Sequence, residues 1–375
     1  MQKRYLTRVW APLVLSLVVA SAIFFSLRAH RKSRQDAAGQ RQVNVVSWGG
    51  QFQQDLMQNW LLPAARQRGI AVRAASWDGD YGTLTTRIEN GLNNWDLVHV
   101  EAHYVETPRH ENLFEPIDRV LPLLASPELA KDRAVPVLEY GYVLASRSDK
   151  LDLPRPLRWR DFFDTRIVQR RGARDFPIGN IEIALLSRGY DLKTALYRSD
   201  LSRIALERII DEALSQWSRI ADKIVWWKLG DDLQRDLTSG TTPLSAAWSG
   251  RVLAAHKQLC PDKPIGQCQL QANLDEQLIS TDWWVIPAGA VHASEARDLL
   301  LQMYTGDASE SGAEVFAQKQ GYSVPLLGFK VADPTANQYL QSSRTRPQST
   351  RMNEAFWGSN FDWVYSRWKY WRQSH

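Results

Sequence analysis

The sequence lacks the short motifs that most often mark an enzyme. It contains no G-x-S-x-G nucleophile turn, no H-E-x-x-H zinc helix and no phosphate-binding glycine loop. The seven histidines are scattered along the chain, and the carboxylates never form a distinctive pair. We therefore expect a protein that is not an enzyme and that needs neither a metal nor another cofactor.

Cysteine is scarce. The only two, Cys260 and Cys268, flank a short segment that contains proline and glycine. Two cysteines that close such a loop are typical of a disulfide formed in an oxidising compartment. We predict this disulfide; a pair of free thiols is the alternative, and a two-ligand metal site is disfavoured.

A large charge excess is also missing from the body of the chain. The net charge of +5 is small for 375 residues, and the basic residues before residue 42 are opposed there only by Asp36. These basic residues are Lys3, Arg4, Arg8, Arg28, Arg31, Lys32, Arg34 and Arg41. A nearly neutral body argues against nucleic-acid binding. The length and the 44% hydrophobic content fit a soluble globular protein of two domains.

The N-terminal segment predicts export or membrane attachment. Residues 9–27 carry no charge, follow a basic start and are just long enough to cross a bilayer. Cleavage after the candidate site Ala20-Ser21-Ala22 would leave an apolar Ile-Phe-Phe terminus. We predict an uncleaved anchor, with a cleaved signal as the alternative, and a polar tether at residues 28–42. No cysteine is present for lipid attachment at the end of a signal.

Residues 43–50, Val-Asn-Val-Val-Ser-Trp-Gly-Gly, predict a strand, a glycine turn and then a helix. The β-branched valines favour a buried strand, and the two glycines permit a sharp turn close to a bound molecule. Ligands of open α/β sheets lie at the carboxyl ends of strands. Trp48 lies at such an end, so we interpret it as part of a cleft wall; a core position under the turn is the alternative.

Further along the chain, apolar runs alternate with helical patterns and predict an α/β fold with a mostly parallel sheet. We predict strands at residues 69–74, 96–101, 135–145, 224–227 and 283–287. The run at 135–145 is expected to cross between two lobes. Asp200 is predicted to cap a helix that continues to Trp217, and residues 159–174 are interpreted as surface and connection. The aromatic C-terminus is expected to pack across a lobe.

Four motifs occur in a fixed order. They are Ser47-Trp48-Gly49-Gly50, Trp95-Asp96-Leu97-Val98 with Val100-Glu101, Ala247-Trp248-Ser249-Gly250-Arg251, and Asp282-Trp283-Trp284-Val285-Ile286-Pro287. In this order they resemble the extracellular solute-binding proteins of ABC importers, in the spermidine/putrescine-binding group. The resemblance covers about residues 43–372, and Phe356-Trp357 is similar to the start of the family's terminal helix.

The resemblance implies a periplasmic binding protein type II fold, in which two α/β lobes joined by a hinge close on a small solute. It implies a first lobe at residues 43–140 and 282–335, a second lobe at 141–281, and C-terminal helices at 336–375 that pack on the second lobe. It further implies a periplasmic monomer that delivers its solute to a membrane permease driven by an ATPase. A membrane-tethered solute sensor is the alternative function, and an enzyme built on the same scaffold is a third.

The resemblance also suggests site residues. In polyamine binders, tryptophans cover the methylene chain and carboxylates hold the ammonium groups; Trp48 and Trp248 match the aromatic positions, and Asp282 and Glu182 the acidic ones. Arg251 departs from the pattern, because polyamine binders have an aspartate there. A guanidinium repels a diamine but clamps a carboxylate. The expected solute is therefore an amine: a polyamine such as putrescine or spermidine, or an amino acid or ω-amino acid.

Other residues at predicted loop ends are expected to face the same cleft. They are Tyr81, Glu101, His103 and Tyr322. Trp283 and Trp284 alternate on one strand, so one is expected in the core and the other towards the cleft.

Overall fold

The computed structural model describes residues 41–117, 129, 131–153, 156–261, 263–305, 307–326, 329–340, 346 and 348–375. The apolar segment at residues 9–27, and with it the predicted anchor or signal, lies outside this range. Within the range, no helix is both long and apolar enough to cross a membrane.

One mixed sheet runs through the described part of the chain. Its strands are β1 (Gln42–Ser47), β2 (Ala71–Ser76), β3 (Leu97–Glu101), β4 (Val135–Arg147), β5 (Arg171–Arg174), β6 (Ile224–Trp227), β7 (Leu244–Trp248), β8 (Leu270–Val285) and β9 (Thr350–Arg351). They are ordered β2-β1-β3-β8-β4-β7-β5-β6, and β9 pairs with β8. The strands predicted at residues 69–74, 96–101, 135–145 and 224–227 are present within a few residues, whereas the one predicted at 283–287 overlaps only the end of the much longer β8.

The sheet consists of two parallel groups joined by long antiparallel strands. In the first half-sheet, β1 runs parallel to β2 and β3; in the second, β5 runs parallel to β6 and β7. Between the two half-sheets, β4 and β8 pair with each other in antiparallel fashion. In the same orientation, β8 also pairs with β3, and β4 also pairs with β7. The β4–β8 register shifts between Pro136 and Leu138 and again between Tyr142 and Leu144, so these strands bend where the half-sheets meet.

Helices cover the sheet. They are α1 (Gly50–Leu56), α2 (Leu62–Gln67), α3 (Tyr81–Glu89), α4 (Ala102–Glu106), α5 (Trp159–Phe162), α6 (Asn180–Ser187), α7 (Leu192–Ala195), α8 (Arg203–Ser218), α9 (Gly230–Ser239), α10 (Ser249–Leu259), α11 (Ala293–Thr305), α12 (Asp307–Gln320), α13 (Pro334–Tyr339) and α14 (Glu354–Gln373). A π-helical turn, Met57–Leu61, joins α1 to α2.

Two local predictions need correction. The N-cap of α8 is Ser202, whose side chain accepts a hydrogen bond from the Ala205 amide, and not Asp200. Residues 159–174 are more than a surface connection, because they include β5 and the fully buried Arg171. The Arg171 guanidinium is buried because it donates to the carbonyl oxygens of neighbouring turns, among them Phe162 and Ile167.

Several tryptophans form the core. Trp283 and Trp284 are both fully buried, so the expectation that one of them faces the cleft is wrong. Both faces of β8 are covered there, so Trp283 and Trp284 are both buried although they point to opposite faces of the sheet. The C-terminal helix α14 buries Trp357 and Trp368, and it contacts α4 and α8.

The loop before β8 contains the predicted disulfide. Cys260 and Cys268 are bonded with a Cα–Cα distance of 5.8 Å, and both are buried. The bond fastens the end of α10 to the start of β8.

Candidate functional site

A cleft lies where the carboxyl ends of the strands of both half-sheets converge. Aromatic side chains form much of its wall: Trp48, Phe52, Trp77, Tyr140, Trp248 and Tyr322. Charged side chains complete it: Asp78, Glu101, Arg174, Lys228, Arg251 and Asp282. An apolar wall with a few convergent charges is typical of a site for a small polar ligand.

Trp48 is positioned by the turn that its sequence predicts. Strand β1 ends at Ser47, and Gly49 and Gly50 adopt positive φ angles of 74° and 61°, which glycine tolerates without strain. The indole of Trp48 stacks on that of Trp77, with ring centroids 5.5 Å apart and planes inclined by 10°. The stacked pair forms one aromatic wall of the cleft.

Asp282 lies in this wall and is only 6% exposed. Its Oδ2 accepts a hydrogen bond of 2.9 Å from Trp48 Nε1 and lies 3.2 Å from His99 Nε2. His99 Nδ1 is in turn 2.9 Å from the Ser47 hydroxyl. Asp282 Oδ1 is buried and has no hydrogen-bond partner among the described residues. A fixed carboxylate with one free oxygen remains available to a ligand donor.

Glu101 and Arg174 form an ion pair in the same cleft. Arg174 Nη1 lies 2.6 Å from Glu101 Oε1, and the guanidinium carbon lies 4.9 Å from the centre of the Trp248 ring and 4.2 Å from that of Phe176. Burial raises the pKa of Glu101, the Arg174 charge lowers it, and the nearby Asp282 raises it again. This pair satisfies Oε1 of Glu101, whereas Oε2 is buried and has no hydrogen-bond partner among the described residues.

Arg251 is held at the start of α10. Its side chain is nearly buried, and Nη1 donates to Asp231 Oδ1 at 3.0 Å and to Gln234 Oε1 at 3.5 Å. A Cβ atom at Gly230 would come within 2.3 Å of Arg251 Nε, so the glycine provides the space for the guanidinium. In the described structure, Nε and Nη2 make no hydrogen bond, which leaves two nitrogens for a carboxylate.

Two buried tyrosines stay neutral beside these charges. Burial raises the pKa of Tyr322, and of the two charges that also act on it, Arg251 lowers and Asp282 raises that pKa. Burial likewise raises the pKa of Tyr140 well above its ordinary value, with Glu101 and Asp282 adding to the effect. Tyr322 is thus within electrostatic reach of both Arg251 and Asp282.

Six of the residues expected from the sequence line this cleft. They are Trp48, Glu101, Trp248, Arg251, Asp282 and Tyr322. Tyr81 and His103 lie behind the wall: the Glu101 amide donates to the Tyr81 hydroxyl at 2.8 Å, and His103 Nδ1 is 3.6 Å from Glu101 Oε2. Burial lowers the pKa of His103 well below its ordinary value, so the ring is neutral.

Glu182 does not reach the cleft, contrary to expectation. It is fully buried near the start of α6, where Oε2 accepts from the Gly179 amide at 2.9 Å. Oε1 accepts from the Tyr197 hydroxyl at 2.8 Å and from Trp357 Nε1 at 2.5 Å. The donors to Glu182 are therefore the Gly179 amide at the start of α6, the Tyr197 hydroxyl and the Trp357 indole on α14, and the role of Glu182 is structural.

Sequence reasoning missed six of the aromatic and charged wall residues: Phe52, Trp77, Asp78, Tyr140, Arg174 and Lys228. Trp77 follows β2 as Trp48 follows β1, so the rule that selected Trp48 would also have found Trp77. Tyr140 lies inside the predicted crossing strand. No sequence pattern indicated Arg174, because it ends a strand of only four residues that the sequence pattern does not predict.

No group of three or more His, Cys, Asp or Glu side chains within the described ranges is arranged to hold a metal ion.

Comparison with known proteins gives concordant results. The family model for bacterial extracellular solute-binding proteins matches residues 64–336. The chain is 28% identical over 229 residues to a gamma-aminobutyric acid-binding protein of Pseudomonas aeruginosa, an alignment that covers 59% of this chain and 63% of the relative's length.

Solved structures share the fold. The binding protein AgtB of A. tumefaciens R10, determined in complex with agropinic acid, has a TM-score of 0.75 at 21% identity and covers 89% of this chain and 99% of its own. The Atu4243–GABA receptor has a TM-score of 0.74 at 24% identity and covers 89% and 98%. At these identities the two structures establish the periplasmic binding protein type II fold.

Proposed function

This chain belongs to the bacterial extracellular solute-binding protein family, and we propose that it is the solute-binding component of an ABC importer. We further propose that its solute is a small zwitterion, with an amine at one end and a carboxylate at the other, as in 4-aminobutyrate (γ-aminobutyric acid). The solute lies in the cleft between the half-sheets and is delivered to a membrane permease.

The observation that carries this proposal is the free oxygen of Asp282. A buried carboxylate oxygen without a donor is costly, and a ligand ammonium group would supply the missing charge-assisted hydrogen bond. The neighbouring Trp48–Trp77 wall offers an aromatic face, which attracts a cation by roughly 0.5–2 kcal/mol. Asp282 is therefore assigned the amine.

The carboxylate is assigned to Arg251. Its guanidinium is nearly buried, and its unused nitrogens match the two oxygens of a carboxylate. Tyr322 lines the same cleft as Arg251 and Asp282, and we assign it a position between the two charged ends of the solute. Its neutral hydroxyl can donate to the solute without adding charge.

The charge balance of the cleft favours a neutral solute over a polyamine. Three acidic side chains (Asp78, Glu101, Asp282) are balanced by three basic ones (Arg174, Lys228, Arg251). A site for a diamine needs an excess of negative charge, whereas a zwitterion needs separated charges with no excess. Gamma-aminobutyric acid, for which the Pseudomonas relative is named, has this form.

The mechanism we propose is closure without covalent chemistry. The solute contacts both proposed lobes, with Asp282 on the part of β8 that pairs with β3 and Arg251 on α10, and stabilises the closed arrangement through its higher affinity for that state. The division into lobes at residues 43–140 with 282–335, and at 141–281, is part of this proposal, and β4 and β8 form the hinge. Attachment through residues 9–27 remains a prediction.

Isothermal titration calorimetry with four compounds of the same chain length tests the solute class. We expect the purified full-length chain to bind 4-aminobutyrate at least roughly tenfold more tightly than n-butylamine, butyrate or putrescine, because each of these lacks one charge-assisted interaction or adds a repulsive one. Tighter binding of putrescine, or binding of none of the four, would contradict the proposal.

A matched pair of variants identifies the carboxylate partner. Arg251→Gln is expected to remove most of the preference for 4-aminobutyrate over n-butylamine. Arg188→Gln alters an exposed arginine paired with Glu212, far from the cleft wall, and should leave the preference unchanged. A preference that survives Arg251→Gln would assign the carboxylate to another residue.

A further inference from the structure

Arg174 occupies the cleft in the way that a bound organic cation would. Its guanidinium lies over the faces of Trp248 and Phe176 and is paired at 2.6 Å with the carboxylate of Glu101. Aromatic faces combined with a carboxylate are also the means by which proteins hold a ligand ammonium group. The chain thus fills with its own side chain a place built for a cation.

Two carboxylates lie around the position of the Arg174 guanidinium. Glu101 on β3 lies directly opposite Asp282 on β8 in the antiparallel register, and both side chains are buried. Like charges directly opposite on neighbouring strands are destabilising unless a cation compensates them. Without Arg174, this wall would present two adjacent carboxylates, which is the electrostatic arrangement that a diamine needs.

Arg174 reaches this wall from the other half-sheet. It ends β5, and Glu101 ends β3, four strands away in the sheet order. In a flat sheet the two strands would lie about 19 Å apart. Their contact at 2.6 Å therefore joins the two half-sheets across the cleft.

We propose that Arg174 determines specificity by taking the position of a second ligand ammonium group, so that the cleft accepts a solute with one amine and rejects diamines. This rests on the proposed function, since it concerns the same cleft. It assigns Glu101 as the partner of an internal cation, and leaves Asp282 as the carboxylate that meets the solute.

The charged neighbours of Glu101 and Asp282 agree with these two assignments. Glu101 is neutralised by Arg174, whose charge lowers the pKa that burial and Asp282 raise. Within the described part of the chain, Asp282 has Trp48 and His99 at hydrogen-bond distance and no arginine. Of the two carboxylates, Glu101 therefore has an arginine partner among the described residues and Asp282 has none.

The test is a gain of diamine binding. Arg174→Gln and Arg174→Met each remove the internal cation, and the methionine retains an apolar stem that can pack on Trp248. For each variant and for the wild type, titration calorimetry gives the Kd for putrescine and for 4-aminobutyrate. We expect the ratio of the two constants to shift at least roughly tenfold in favour of putrescine, the size of one charge-assisted contact.

The double variant Glu101→Gln/Arg174→Gln is the matched control. It removes the second carboxylate along with the cation, so the shift towards putrescine should disappear. No shift in a folded single variant, or an equal shift in the double variant, would overturn the inference. Loss of folding in both single variants would overturn it as well, since the ion pair would then serve the fold.

The test of Arg174 and the test of the proposed solute can fail independently of each other. Failure of the wild type to bind 4-aminobutyrate contradicts the proposed solute, whereas tighter putrescine binding by Arg174→Gln than by the wild type still supports the inference about Arg174.

Discussion

The indole N–H of Trp48 donates a 2.9 Å hydrogen bond to Oδ2 of Asp282, a residue 234 positions away in the chain. Trp48 directly follows β1 and Asp282 lies in β8, and β3 separates the two strands in the sheet. The bond fixes the carboxylate, whose second oxygen is buried and has no hydrogen-bond partner among the described residues. A group oriented before binding costs less entropy when the ligand arrives.

Replacing Asp282 by asparagine should weaken 4-aminobutyrate binding by roughly 10- to 100-fold, because it removes the charge from a hydrogen bond to an ammonium group. The change keeps the side chain's shape and its acceptor for Trp48. Titration calorimetry measures the effect. Asp362→Asn alters an exposed carboxylate that pairs with Arg109 and is the control. Equal affinities of wild type and Asp282→Asn would show that the amine binds elsewhere.

Glu354 gives a prediction about pH. Its Oε1 accepts from the Thr281 amide at 3.0 Å and so ties α14 to the strand of Asp282. Burial raises its pKa from 4.5 to about 7, Arg351 and Lys131 lower it, and Glu106 raises it. Between these two pKa values the folded state holds a proton that the unfolded state has lost, so this group's contribution to the free energy of unfolding falls as pH rises.

Glu354→Gln should therefore be more stable relative to the wild type at about pH 8 than at about pH 5, by about 1–3 kcal/mol. Urea unfolding at the two pH values measures the difference. Glu111→Gln, at an exposed position, controls for the loss of a surface charge. A stability difference that does not change with pH would rule out this role for Glu354.

The disulfide should stabilise the fold without affecting the cleft. Cys260 and Cys268 are eight positions apart, and neither lines the cleft. Cys260→Ser/Cys268→Ser should lower the free energy of unfolding by about 2–4 kcal/mol, because a short closed loop restricts the unfolded chain. Dithiothreitol should destabilise the wild type alone. A changed Kd for the solute in the double variant would contradict the separation of the two sites.

Patterns within short segments of the sequence predicted those parts of the site whose structure is determined by neighbouring residues. The valines and glycines of residues 43–50 specify both the strand and the turn, and with them the position of Trp48. Trp248 and Asp282 were found by resemblance to a known family, which preserves such strand ends together with their order.

The remaining features depend on contacts between distant segments. Arg174 ends a strand of four residues that exists because β6 and β7 pair with it. Trp284 is buried because both faces of β8 are covered, which its own alternation does not reveal. Glu182 carried a local signal that was passed over: a glutamate three residues after Gly179 at the start of a helix is placed to accept from that amide.

The central claim is that a zwitterionic solute is held by its amine on Asp282 and by its carboxylate on Arg251. A crystal structure of the protein with 4-aminobutyrate tests it most directly. We expect the ligand nitrogen within hydrogen-bond distance, about 3 Å, of Asp282 Oδ1, and the ligand carboxylate on the guanidinium of Arg251. A ligand bound in the reverse orientation, or bound without contact to either side chain, would contradict the claim.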